Sequence, residues 1–183
     1  MIDDRGVTHY DQMPIPPVES QTTYFEAGVV TFGVEFRLLD DAIAAASATE
    51  DAKGNTSGTN QLDDRGVSVH VFGTLEGQRV EYLRFDCFDE DPHYHYVNWT
   101  DSSNQMLHID SDAEGDSLDW AIDRLRTRLP QMLERAGGGQ VVAAMDPKLI
   151  AAVLPEVGQQ ALQARFHHDD DGIRRAALEA GQR

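Results

Sequence analysis

The chain reads as an α+β protein: an antiparallel β-meander of four to five strands with one face covered by an amphipathic helix, plus short C-terminal helices. Two observations predict this. Runs of alternating apolar and polar residues follow one another from residue 67 with only turn-forming residues between them, which makes hairpins. One later run, 117–136, repeats apolar residues at steps of three and four, which makes a helix with one apolar stripe. A length of 183 residues, 40% hydrophobic and 26% charged, suits a single domain with its own core.

The first 23 residues contain Pro14, Pro16 and Pro17, which remove backbone donors and favour extended forms, so 1–23 is expected to be a Pro-rich arm that needs a surface to lie on. A single domain is expected over 24–166 and a polar C-terminal tail, weakly ordered or helical only against a partner, over 167–183. Val30, Phe32, Val34, Phe36 and Leu38 alternate with Thr31, Gly33, Glu35 and Arg37, the pattern of a half-buried strand. An Ala-rich stretch from 41 to 48 suits a short helix, and the Gly, Ser, Thr and Asn of 52–60 suit a loop. Val67, Val69 and Val71 mark a second strand. Residues 79–88 and 92–99 form a third and fourth, and 106–110 a short fifth. The pentapeptide 3–7 recurs at 63–67, too briefly for a structural repeat.

Asp116 or Ser117 can cap the long helix, whose stripe is Leu118, Ala121, Ile122, Leu125, Leu129 and Met132. Pro130 should kink or split it, and Gly137 to Gly139 should end it. Asp146-Pro147 resembles an N-cap followed by a first-turn proline, opening a helix to Leu154, and Pro155 opens another to Phe166.

Charge excludes some partners. A formal net charge of −17 repels phosphate backbones and anionic headgroups, so neither nucleic acid nor membrane is expected. The single cysteine, Cys87, forms no internal disulfide, and no basic leader or long apolar run is present, so the expected location is cytoplasmic.

Chemistry concentrates in 84–96, where hairpin parity sorts the side chains. A four-residue loop at 89–92 sets Phe88 against His93, Asp86 against His95 and Arg84 against Val97. Leu83, Phe85, Cys87, Tyr94 and Tyr96 then share the core face. A three-residue loop at 76–78 extends the parity to the preceding strand, setting Val69 and Val71 against Phe85 and Leu83 on the core face, with His70 opposite Arg84 and Ser68 opposite Asp86; a two-residue loop would turn His70 to the core side, and the longer loop is preferred because it places the three valines inside. The other face gathers His70, Arg84, Asp86, His93 and His95, ringed by Phe72, Tyr82, Phe88 and Trp99 and within reach of Glu35 and His108.

Two histidines at i and i+2 of a strand with a carboxylate across the ladder can form a 2-His-1-carboxylate metal set, suited to Zn, Fe(II) or Mn with open coordination positions. The metal candidates are Asp86, His93 and His95; His70 is the candidate acid/base and Arg84 the candidate for orienting an anionic substrate. The plain alternative is a cross-strand ion pair on a solvated sheet face. The acidic turn at 89–91 lacks the spacing and glycine of a calcium loop, and no Gly-rich phosphate loop, nucleophile elbow or zincin motif occurs.

Three functions fit these residues. The face binds a small-molecule ligand or divalent metal, or docks as an accessory subunit of a larger enzyme; it is a metal-dependent hydrolase or oxygenase; or it is a structural interface, within a homo-oligomer or with a larger partner.

Overall fold

The computed structural model describes residues 6–10, 13–47 and 62–181; the 52–60 loop expected from the sequence and most of the first pentapeptide copy lie outside them. The fold is mixed α+β on an antiparallel sheet, with seven strands in place of the expected four to five. They are β1 (Thr8–Tyr10), β2 (Thr23–Ala27), β3 (Val30–Asp40), β4 (Asp63–Leu75), β5 (Gln78–Phe88), β6 (His93–Asn98) and β7 (Ser103–His108). The additional strands are the two edges. β2 is only five residues without clean alternation, joined to β3 by a two-residue turn, and β1 is three residues inside a polar segment. Neither carries a period long enough to read.

The strand order β1-β7-β6-β5-β4-β3-β2 is a meander from β2 to β7, with β1 closing the far edge beside β7. That order dictates the path of the N-terminal segment. β1 and β2 lie six strand spacings apart, roughly 29 Å, and residues 11–22 reach roughly 40 Å when extended, so the chain must cross a face of the sheet between them.

The opposite face is the core. Val30, Phe32, Val34, Val67, Val69, Val71, Leu83 and Phe85 are buried there against Leu118, Ala121, Leu125, Leu129 and Leu133 of α3 (Ser117–Arg135). Asp116 caps α3 by accepting from the Leu118 and Asp119 amides, and Gly137 follows it at φ +86, where a side chain would be strained. α5 (Pro147–Phe166) covers β2, β3 and β4 and begins with the Asp146 cap and Pro147. Both long helices run through an internal proline: α3 continues past Pro130, where a kink or a split was expected, and α5 past Pro155, where a second helix was expected to open; buried Leu129, Met132 and Leu133 in α3 and Leu154 and Val157 in α5 flank the prolines. Packing on the sheet offsets the lost backbone hydrogen bond.

Short helices complete the chain: α1 (Asp41–Ser47), α2 (Ser111–Glu114), α4 (Gly139–Ala144) and α6 (Asp170–Ala180). α6 packs Ile173 and Ala177 against β3 and α1 of the same chain. No helix among the described residues is long and apolar enough to cross a membrane.

Candidate metal centre and its buried charge network

Strand register decides what meets on the face opposite the helices. Between β4 and β5 the connection is a two-residue I′-like turn, with Glu76 and Gly77 both at positive φ, instead of the expected three-residue loop. A two-residue turn alone puts His70 on the core side. The register shifts by one between Val71 and Phe72, however, leaving Tyr82 as an unpaired bulge residue, and beyond it Val71 faces Leu83, His70 faces Arg84 and Ser68 faces Asp86. The bulge thus restores the parity that the longer loop would have given.

It also exchanges two side chains. Plain alternation places Glu81 with Leu83 and Phe85 in the core and Tyr82 on the polar face. With the bulge at Tyr82, Glu81 pairs with Phe72 on the polar face, and Tyr82 packs beside Gly73 and Gly138 on the helix side. The signal for this was present: a carboxylate in core register is a local conflict that a bulge resolves.

The β5–β6 register differs from expectation by two residues: Asp86 faces His93 and Arg84 faces His95. The ladder stops there because the connection is tied elsewhere. Asp64 accepts the Glu90 and Asp91 amides, and the Asp89 amide donates to Arg65. An even shift leaves every side chain on its expected face while changing its partner.

Asp86, His93 and His95 converge: Oδ2 of Asp86 is 3.4 Å from Nε2 of each histidine, and all three residues are buried. Each imidazole is oriented from behind. His93 Nδ1–H donates to the Asp91 carbonyl at 2.6 Å, and His95 Nδ1–H to the Asn104 side-chain oxygen at 2.8 Å, so Nε2 is the ring atom that each histidine turns toward the carboxylate. Ser68 donates to the other oxygen of Asp86. Burial alone would raise the Asp86 pKa, but the two facing histidines and the nearby Arg84 hold it well below the usual carboxylate range. His93 is shifted upward: burial disfavours its charged form, and Asp86 outweighs that.

Next to the triad runs a chain of buried charges. His70 is fully buried; its Nδ1–H donates to Glu81 at 2.6 Å and its Nε2–H to Glu35 at 3.1 Å. With a carboxylate on each nitrogen the ring is an imidazolium, and its pKa is raised although burial opposes the charge. Arg84 grips Glu81 with two hydrogen bonds, Nε at 3.0 Å and Nη2 at 2.8 Å. Burial would raise the Glu81 pKa too, but Arg84 and His70 pull it down to about 2. Arg37 lies 3.5 Å from Glu35.

Residues 13–22 cross over this network. The Ile15 carbonyl accepts from Arg84 and Arg37, and Glu35 accepts from the Val18 amide and the Thr22 hydroxyl. Beneath this strap is a cavity of about 210 Å³ walled by Arg37, Arg84, the triad, Phe88, Met106 and residues 13–15; His70 is not in its wall. Of the other expected neighbours, Phe72 stacks on His70, whereas Trp99 is 46% exposed at the end of β6. His108 pairs with Asp91 at the surface. Cys87 is buried on the core side, and burial raises its thiol pKa beyond nucleophilic use at neutral pH.

Residues 24–161 match a family described as a domain of unknown function, DUF7700. The chain belongs to that family. No curated protein and no solved structure matches it. The DUF7700 match contains every residue of the triad and of the charge network and begins just after the strap, so the strap belongs to sequence outside the matched domain.

Proposed function

We propose that the chain is a divalent-metal-binding protein whose centre is Asp86, His93 and His95. The observation that carries this reading is the convergence of both Nε2 atoms on one Asp86 oxygen at 3.4 Å, with each Nδ1 already committed as a donor. Donor atoms about 2.1 Å from a tetrahedral ion lie about 3.4 Å apart, so the two 3.4 Å edges fit an ion with little movement. A set of two imidazoles and one carboxylate suits Zn, Fe(II) or Mn and leaves coordination positions for water or a ligand on the cavity side. A simple ion pair would need only one histidine at hydrogen-bond distance; here two share one oxygen at a distance longer than a good hydrogen bond.

Burial of His70 outside the cavity wall, with both nitrogens occupied, supports ligand binding over acid–base catalysis by that residue. Arg84 belongs to the anion-binding side of the cavity, and the network behind it holds it there.

Elemental analysis of untagged protein tests the proposal. Close to one Zn, Fe or Mn per chain is expected, lost in the His93→Ala/His95→Ala variant with circular dichroism unchanged. Full metal retention in that variant, or no uptake by the wild type on incubation with these ions, overturns it.

A further inference from the structure

The Ile15 carbonyl accepts from two guanidinium groups at once, Arg84 Nη1 at 2.6 Å and both terminal nitrogens of Arg37 at 3.3 Å. A neutral backbone oxygen therefore holds a place that two cations would give more readily to an anion, because charge-assisted hydrogen bonds are roughly twice as strong as neutral ones. Both arginines and Ile15 share the cavity wall with Asp86, His93 and His95.

Charge balance points the same way. With His93 and His95 neutral, as metal-ligating imidazoles must be, Glu35, Glu81 and Asp86 supply three negative charges and Arg37, Arg84 and the doubly donating His70 three positive ones, so the face balances before an ion is added. A divalent ion on the triad would leave two uncompensated positive charges in a buried place, an expensive state unless an anion accompanies the ion. The cavity of about 210 Å³ is small, and Met13, Pro14, Phe88 and Met106 give it apolar walls suited to a short aliphatic stem.

Resting on the metal reading, we infer that the ion-loaded cavity takes a small carboxylate. The carboxylate coordinates the ion and accepts the arginine hydrogen bonds that Ile15 now accepts, so that its binding frees residues 13–18 from the sheet. The strap is then an internal competitor, and the affinity for the carboxylate is set against the contacts of Ile15 and Val18.

The test uses the full chain loaded with Co(II), followed by visible absorption. Acetate and succinate are titrated in, with acetamide and succinamide as neutral counterparts and inorganic phosphate as a second anion. A saturable spectral change is expected with a carboxylate at concentrations at least tenfold below any effect of its amide, and Arg37→Gln should weaken it at least tenfold. Amide hydrogen exchange of the wild type provides a readout that needs no variant: the Val18 amide, now bonded to Glu35, should exchange faster when carboxylate is bound. Co(II) binding with no carboxylate response, or a response to phosphate alone, overturns this inference and leaves the metal centre standing. Absence of Co(II) binding overturns both, and unchanged protection at Val18 overturns release of the strap.

Discussion

Glu81→Gln is the substitution that best probes the buried network, because the bulge alone puts this carboxylate there. Glu81 accepts two hydrogen bonds from Arg84 and one from His70 and is 4% exposed, so its neutral replacement leaves two buried cations with one compensating charge fewer. The structure supplies the magnitude. Holding this carboxyl at about 2 instead of 4.5 corresponds to about 3 kcal/mol, at about 1.4 kcal/mol per pH unit. Breaking one partner out of a buried ion pair costs a similar 3–5 kcal/mol or so. The sign in pH follows from linkage. A carboxyl whose pKa is depressed by folding stabilises the fold above its unfolded pKa, near 4.5, and loses that contribution as pH falls through about 2. Urea denaturation of wild type and variant should therefore show a gap of about 3 kcal/mol at pH 7 that closes between pH 4.5 and 2. A loss below about 1 kcal/mol, or a gap that stays constant down to pH 2.5, would refute the claim that Glu81 is an ionised partner of Arg84 and His70.

Three further predictions follow from other layers of the structure. Phe85, fully buried between Tyr94 and Trp120, should cost about 3–5 kcal/mol on truncation to Ala; a cost under about 1 kcal/mol in denaturation would show that the helix does not seal this face. Asn104→Leu removes the acceptor that orients His95 and should lower metal affinity about 10–100-fold by competition against a chelator, with unchanged affinity counting against the ligand assignment. His70, whose pKa is raised in the fold, stabilises the protein fully below about 6.5 and loses that contribution as pH rises through its folded value. Its ring resonances in NMR should titrate with a midpoint above the ordinary histidine value, and a midpoint at or below that value would contradict the double hydrogen bond.

The sequence by itself determined the fold class, the identity of the covering helix and the face of the sheet on which Asp86, His93 and His95 lie. Those are consequences of period: alternation in 30–38 and 67–71 sorts Val and Phe from Glu, Arg and His, and the three-and-four spacing of Leu118 to Met132 does the same for α3. The caps at Asp116 and Asp146 were legible because capping is local chemistry. Tertiary structure decided register and everything that depends on counting. The Tyr82 bulge, which exchanges Glu81 for Tyr82 on the polar face, and the two-residue slip that seats Asp86 opposite His93 are set by which backbone groups find partners across the ladder, something that alternation of side chains cannot encode. β1 and β2 were invisible for a related reason. Short edge strands gain their order from the strand beside them, and only with both edges placed is the Pro-rich segment forced across the sheet, where the Ile15 carbonyl meets Arg37 and Arg84.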